Sequence, residues 1–257
     1  MPNEAANGHK KAQRKKSIID AALKLFSEKG YENTRVDDIA KQADVNKALI
    51  YYYFENKESI LKYLLDEFYS GLEKFSGDFI ANYIVKSIKG GKLVLQADGF
   101  KFESMEELLL FEDATRQMVE DTLHYFLDNR DTVRVMIAES LKNYDKSRVS
   151  LLWLMDFRSM DLDYLELMEQ KENNPIYKII TAADGDDRLS SYYSNRSVMY
   201  KFFCAVLPLL SMATYFDDYR KASRLSESEL RRRLFELYLS TANYCTVDRK
   251  NLTVSLY

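Results

Sequence analysis

Residues 34–58, Thr-Arg-Val-Asp-Asp-Ile-Ala-Lys-Gln-Ala-Asp-Val-Asn-Lys-Ala-Leu-Ile-Tyr-Tyr-Tyr-Phe-Glu-Asn-Lys-Glu, constrain the fold more than any other segment. Val36, Ile39, Ala40 and Ala43 recur at the spacing of one helical face. Asp44-Val45-Asn46 then breaks the pattern. Asn46 suits the start of a new helix, because its side-chain oxygen can accept a backbone N–H that has no partner within the first turn. Ile50 and Phe54 form an i, i+4 apolar pair for a core, which leaves Lys47, Ala48, Leu49, Tyr51, Tyr52 and Tyr53 to the surface and its rim. Two short helices joined by a tight turn, the second with a basic and aromatic face, have the shape of a helix-turn-helix reader of DNA.

The flanks extend that pattern. Ile18, Ala21, Ala22, Leu25 and Phe26 make one apolar stripe, and Gly30 supplies a helix stop that tolerates a left-handed backbone. A fourth helix is expected from near Asn56, with Ile60, Leu61, Leu64, Leu65 and Phe68 as its apolar face. Further helices are expected near 105–127, 131–144, 147–171, 196–222 and 227–246. Residues 92–103 alternate in polarity around Asp98-Gly99, which reads either as a hairpin or as a loop between helices. Only 8 Gly and 3 Pro interrupt 257 residues, which favours long helices. The expected fold is all-α, with an N-terminal three-helix helix-turn-helix DNA-binding domain at 14–58 (motif 35–54). A flexible basic arm at 1–13 precedes it, and a larger C-terminal helical domain at 59–257 serves ligand binding and dimerisation.

The net charge of −3 argues against nucleic acid until its distribution is considered. Residues 1–62 carry 12 Lys and Arg against 9 Asp and Glu, whereas the remainder carries 25 against 31. A basic head on an acidic body leaves the head to meet phosphate. Lys10, Lys11, Arg14, Lys15 and Lys16 concentrate charge at the arm, either as a solvated tail or as a segment tracking the DNA backbone. The N-terminal residues lack the apolar stretch of a signal peptide, and the longest apolar run, Phe202 to Met212, is about half of what spans a bilayer. A cytoplasmic protein with no membrane partner is expected, and Cys204 and Cys245 read as free thiols.

Catalytic chemistry finds little support. The two histidines, His9 and His124, assemble no dyad or metal cluster with their neighbours. Ser59-Ile-Leu-Lys62 is a loose match on an amphipathic helix, and Gly90-Gly91-Lys92 lacks phosphate-loop spacing. No catalytic residue, cofactor or metal is expected.

Taken in order, Ala21-Ala22-Leu23-Lys24-Leu25-Phe26-Ser27-Glu28-Lys29-Gly30-Tyr31, Thr34, Ile39-Ala40, Val45, Lys47, Ile50-Tyr51-Tyr52-Tyr53-Phe54 and Lys57-Glu58 resemble the N-terminal domain of the TetR family of bacterial transcription regulators. The resemblance covers roughly residues 14–68. It implies that the third helix enters the major groove, with Lys47, Ala48, Leu49 and Tyr51 at base edges. Tyr52, Tyr53, Lys57 and the Thr34/Arg35 corner would then hold phosphates. Asp44 stands where the family usually has a turn glycine, Asn46 where it has Ser or Thr, and Ala48 where glycine is common. Of the base-facing set, Lys47 is the hydrogen-bonding reader, while Ala48 and Leu49 suit a thymine methyl.

The resemblance also implies a double-stranded DNA operator, a homodimer and a ligand. Val198, Phe202, Val206, Leu209, Ala213 and Phe216, widened by Met199, Phe203 and Leu210, make one stripe. Leu230, Leu234, Leu237, Thr241 and Tyr244 or Cys245 make another, so the helices near 196–222 and 227–246 are the expected dimer interface. Phe111, Met118, Phe126, Arg134, Tyr144, Trp153 and Phe157 are the expected lining for a small, largely apolar or aromatic molecule. The favoured function is a repressor released from its operator by that molecule. The alternative is a DNA-bound interaction factor with the same head, whose body docks a protein and holds no small molecule.

Overall fold

A computed structural model describes residues 2–96, 99–142, 202–241 and 245–256. In chain order these form α1 (Pro2–Lys29), α2 (Val36–Gln42), α3 (Lys47–Tyr53), α4 (Lys57–Phe79), a π-helical turn (Ile80–Val85) and α5 (Lys86–Lys89). There follow β1 (Leu93–Gln96), β2 (Gly99–Phe102), α6 (Met105–Asp128), α7 (Arg130–Ser140), a second π turn (Phe202–Val206), α8 (Leu207–Ser223), α9 (Glu227–Thr241), β3 (Cys245–Asp248) and β4 (Thr253–Leu256). The described residues fall into two units, one holding residues up to Ser70 and those from Asn129 to Lys142, the other holding the rest.

In the first unit, α1 buries Ile18, Ala21, Ala22, Leu25 and Phe26, the stripe predicted from spacing. It stops where Gly30 turns left-handed at φ 84, its N–H donating to the Phe26 carbonyl at 3.0 Å. The Asp38 carboxylate accepts from the backbone N–H of Arg35 at 3.2 Å, tying down the entry to α2. Asp44 makes the interhelical turn with φ 53, a conformation in which a short polar side chain replaces glycine at modest cost. Asn46 caps α3 by accepting from the Leu49 N–H at 2.8 Å. Asn56 and Ser59 cap α4 reciprocally: Asn56 Oδ1 accepts from the Ser59 N–H at 2.8 Å and Ser59 Oγ from the Asn56 N–H at 3.2 Å.

Two boundaries differ from the sequence reading. The segment expected as a flexible arm at 1–13 is helical from Pro2 onward. Pro2 has no N–H to lose in a first turn, and Ala5, Ala6, Lys10, Lys11, Ala12, Gln13 and Arg14 are strong helix formers that outweigh Gly8 and the weaker formers Asn3, Asn7 and His9. The first unit also extends to Ser70, beyond the expected limit at 58, and takes in α7. Here α7 packs along α1 and buries Thr132, Val133, Val135 and Met136. Ser27 Oγ donates to the Asp131 carboxylate at 3.3 Å, and the Tyr69 hydroxyl reaches Met136 Sδ at 3.2 Å.

The second unit is helical with one addition to the expected all-α class. The segment at 92–103 is a hairpin: β1 pairs antiparallel with β2, Leu93 opposite Phe102 and Gln96 opposite Gly99. β2 pairs with β4, and β4 with β3, giving a four-stranded antiparallel sheet in the order β1-β2-β4-β3. Gly99 is needed there, since a Cβ at this position would overlap the Val254 carbonyl oxygen. Cys245 and Thr246 lie on β3, so the last helix ends at Thr241 rather than near 246. Leu93, Phe102 and Val254 on the sheet pack with Ile84, Leu108 and Phe111 into one core.

The π turn at Phe202–Val206 lies directly before Pro208, whose missing N–H interrupts the regular ladder at the start of α8. α8 buries Leu209, Leu210, Ala213 and Phe216, while α9 buries Leu230, Phe235 and Tyr238. Ser226 accepts from the Glu229 N–H at 3.2 Å, but the Glu229 carboxylate turns to Arg232 and Arg233. The reciprocal capping open to Ser226 and Glu229 is therefore only half made.

Candidate nucleic-acid interface

The seven residues of α3 are divided by burial: Ile50 is in the core and Lys47, Ala48, Tyr51 and Tyr52 are exposed. Leu49 and Tyr53 lie half-buried at the rim. Beyond the helix, Phe54 closes it as a buried C-cap. Because Asn46 fixes where the helix starts, it fixes which side chains face outward.

The cations of this face are already engaged. Lys47 Nζ sits 2.9 Å from the Asp37 carboxylate of α2, an exposed ion pair that holds the ammonium above its ordinary pKa. Such a pair is weak in water and releases its lysine to a stronger acceptor. Lys57, the first residue of α4, donates to the Tyr31 carbonyl at 2.7 Å and lies 4.1 Å over the Tyr31 ring. Burial, reinforced by Glu58, Glu32 and Glu139, pushes the Tyr31 phenol up to about 12, so it stays neutral beneath that ammonium. The lysine is thereby held at the N-terminus of α4, where unpaired backbone N–H groups also favour anions.

Thr34 needs correction as a phosphate contact. It is 1% exposed, its hydroxyl 2.9 Å from the Gly30 carbonyl and 3.3 Å from that of Leu25. The corner is presented to solvent by Arg35 instead. Tyr52 is 65% exposed, whereas the Tyr53 hydroxyl donates to the Lys11 carbonyl of α1 at 3.1 Å. Lys11, which the sequence marks as part of a basic segment, is thus part of the site's geometry, as are Tyr31 and Asp37, for which spacing gives no such signal. Their roles depend on contacts between residues 42, 26 and 10 positions apart.

The expected ligand set is not brought together among the described residues. Phe111 is core: its ring lies 5.1 Å from Phe102, 5.6 Å from Phe100, 6.0 Å from Tyr83 and 6.2 Å from Phe79. Phe126 is buried further along α6, about 22 Å away at 1.5 Å per residue, too far for one small molecule to touch both. Met118 is half-buried between them. Arg134 belongs to α7 in the first unit, where it pairs with Asp131 at 3.0 Å. Tyr144, Trp153 and Phe157, together with the expected helix at 147–171, lie outside the described residues.

The expected dimer stripes divide in two. Val206, Leu209, Leu210, Ala213 and Phe216 are core within the protomer, and Leu234 is half-buried. Phe203 at 56% exposure and Leu237 at 52% face outward, joined by Leu207, Tyr215 and Tyr219 from outside the expected stripes. Val198, Met199 and Tyr244 lie outside the described residues. Among the described residues no helix is long and apolar enough to cross a membrane, and no three His, Cys, Asp or Glu side chains gather as a metal site.

Comparison with known proteins agrees with this geometry. Residues 18–64 match the family model described as bacterial regulatory proteins, tetR family. The chain is 34% identical over 129 residues to the probable HTH-type transcriptional regulator YttP of Bacillus subtilis, a match spanning 50% of this chain and 51% of that one. It is 31% identical over 158 residues to IcaR of Staphylococcus aureus, the HTH-type negative transcriptional regulator of the biofilm operon icaADBC, covering 59% of this chain and 80% of IcaR. The fold is similar to that of the probable transcriptional regulatory protein RHA5900, with a TM-score of 0.50 at 17% identity over 89% of this chain and 97% of that one. With four-fifths of a negative regulator matched and the helix-turn-helix in place, the chain belongs to the TetR family of bacterial regulatory proteins.

Proposed function

We propose that this protein is a homodimeric repressor that reads a double-stranded DNA operator with α3 of each protomer. The observation that carries the reading is the outward face of a capped α3, with Lys47, Ala48, Tyr51 and Tyr52 exposed on a helix anchored by Ile50 and Phe54. Lys47 is the base reader, and Leu49 at the rim adds apolar contact. Arg35, Tyr52 and Lys57 set the register on the phosphates, while Tyr53, its hydroxyl proton given to the Lys11 carbonyl, braces α3 against α1. Repression rather than activation is supported by IcaR, whose name records negative regulation. The outward apolar side chains of α8 and α9 support a four-helix dimer interface.

The test uses operator fragments selected from genomic DNA by the wild-type protein. Lys57→Ala should weaken binding to every fragment and flatten the salt dependence by about one unit per half-site. Lys47→Ala should instead relax preference at one base pair, by about 5- to 100-fold. Unchanged affinity and salt slope in Lys57→Ala, with unchanged preference in Lys47→Ala, would refute this placement of α3 and α4.

The reading extends to control by a small, largely apolar or aromatic molecule bound by the C-terminal domain. Its support is the aromatic and methionine content of residues 105–180, with Trp153 the chain's sole tryptophan. Such a molecule acts by binding the released conformation better than the DNA-competent one. Compounds that quench Trp153 should therefore also weaken operator binding. A screen in which quenching compounds leave operator affinity unchanged would favour the alternative, a body that docks a protein.

A further inference from the structure

The basic stretch ahead of the helix-turn-helix is built into the fold. Residues 5–19 contain no acidic side chain, yet include Lys10, Lys11, Arg14, Lys15 and Lys16. As part of α1 they are held at fixed positions against neighbouring elements. The Lys11 carbonyl accepts from the Tyr53 hydroxyl at 3.1 Å, and the Lys11 ammonium lies 5.1 Å from the centre of the Tyr52 ring. Interaction with the Tyr52 hydroxyl raises the Lys11 pKa, so this side chain is charged throughout the physiological range. Lys15 lies 3.9 Å from the Tyr63 ring and 5.7 Å from that of Phe54, which fixes the same stretch of α1 against α4. Between α1 and α3 runs an open groove lined by Gly8, Lys11, Ala12, Lys15, Tyr52 and Tyr53. Its floor is low because Gly8 and Ala12, one turn apart, carry almost no side chain.

Lys10, Lys11, Arg14 and Lys16 are exposed, and among the described residues none of them has an ion pair with a carboxylate. Exposed cations on one stretch of helix repel one another only weakly in water, but together they make a positive face that attracts a polyanion. Lys10 and Arg14 are four residues apart on one helical face, separated by about 6 Å along the axis. Each strand of duplex DNA presents a charge about every 3.4 Å of its axis, so cations about 6 Å apart are spaced to reach separate phosphates of one strand. The groove also shares Tyr52 with the exposed face of α3, which makes the two surfaces continuous.

We propose that residues 8–16 of α1, with Tyr52 and Tyr53, form a second phosphate-binding face that takes the DNA backbone beside the groove read by α3. Lys11 and the Tyr52 hydroxyl hold one phosphate between them, Lys10 and Arg14 hold its neighbours, and Tyr53 positions Lys11 through the backbone. This inference rests on the DNA-binding reading above but adds contacts that the helix-turn-helix alone does not make.

The test uses the full-length protein and a duplex of arbitrary sequence about 30 base pairs long, with affinity followed by fluorescence anisotropy against salt concentration. The triple variant Lys10→Ala, Lys11→Ala, Arg14→Ala should lose about 0.9 of salt slope for each contact removed, two to three units per head. The charge-keeping variant Lys10→Arg, Lys11→Arg, Arg14→Lys should retain the wild-type slope. A triple alanine variant with the wild-type slope overturns the inference, as does an equal loss in the charge-keeping variant, which would mark a structural effect. Absence of salt-dependent duplex binding by the wild-type protein would instead remove the DNA-binding reading itself.

Discussion

Asn46 offers the sharpest test of how the recognition helix is held. α3 has seven residues, far fewer than a helix needs to persist alone in water, so it depends on its cap and on two buried anchors, Ile50 and Phe54. Replacing Asn46 with Ala leaves the Leu49 N–H, now bonded at 2.8 Å, without its side-chain acceptor. Loss of such a cap costs about 1 kcal/mol, within a range of about 0.5–2. If the first unit melts as an independent domain, its Tm should fall by about 4–8 °C, and by about half that if it melts with the rest. Amide exchange at Leu49 should accelerate by roughly fivefold, since about 1 kcal/mol of local protection is removed. Operator affinity should change by less than about threefold, because the cap is present in both free and bound states and binding suffers only through the unfolded fraction of α3. Asn46→Asp or Asn46→Ser should restore the Tm. An unchanged Tm together with unchanged Leu49 exchange would show that the cap contributes nothing and that packing alone holds α3.

Two other expectations follow from the second unit. Hydrogen bonds from Arg232 and Arg233 hold the half-buried Glu229 carboxylate down at about 2, so its contribution is present above 4.5 and lost as pH falls towards about 2. The Tm difference between wild type and Glu229→Gln should close over that window in calorimetry, and a constant difference would refute the pairing. Leu237 is 52% exposed on α9, so Leu237→Glu should leave the protomer folded but halve the mass at micromolar concentration. An unchanged mass in sedimentation would exclude this face from the dimer.

The first unit was legible in sequence wherever the determinant is local. The turn at Asp44, the cap at Asn46, the stop at Gly30 and the start of α4 at Asn56 each depend on atoms within a few residues, and all formed as read. The buried faces of α1 and α4 followed from helical period alone, since a stripe of apolar residues has one direction in which to leave water. At residues 1–13 charge density points to solvation, whereas backbone propensity favours helix and Lys11 docks on a tyrosine there.

What sequence determined here is therefore short-range: which residues form the helix-turn-helix and which side chains of α3 face outward. Tertiary structure decided what those side chains touch. It set Lys57 on Tyr31, Tyr53 on Lys11 and Lys47 on Asp37, and it buried Thr34. It turned Phe111 from an expected ligand contact into the centre of an aromatic core. It also made strands of residues 253–256, whose alternation is too brief to specify a sheet until β2, some 150 residues earlier, supplies the hydrogen-bonding edge. Spacing along a chain encodes the face of an element, but the partner of that face comes from closing long loops, which local spacing does not record.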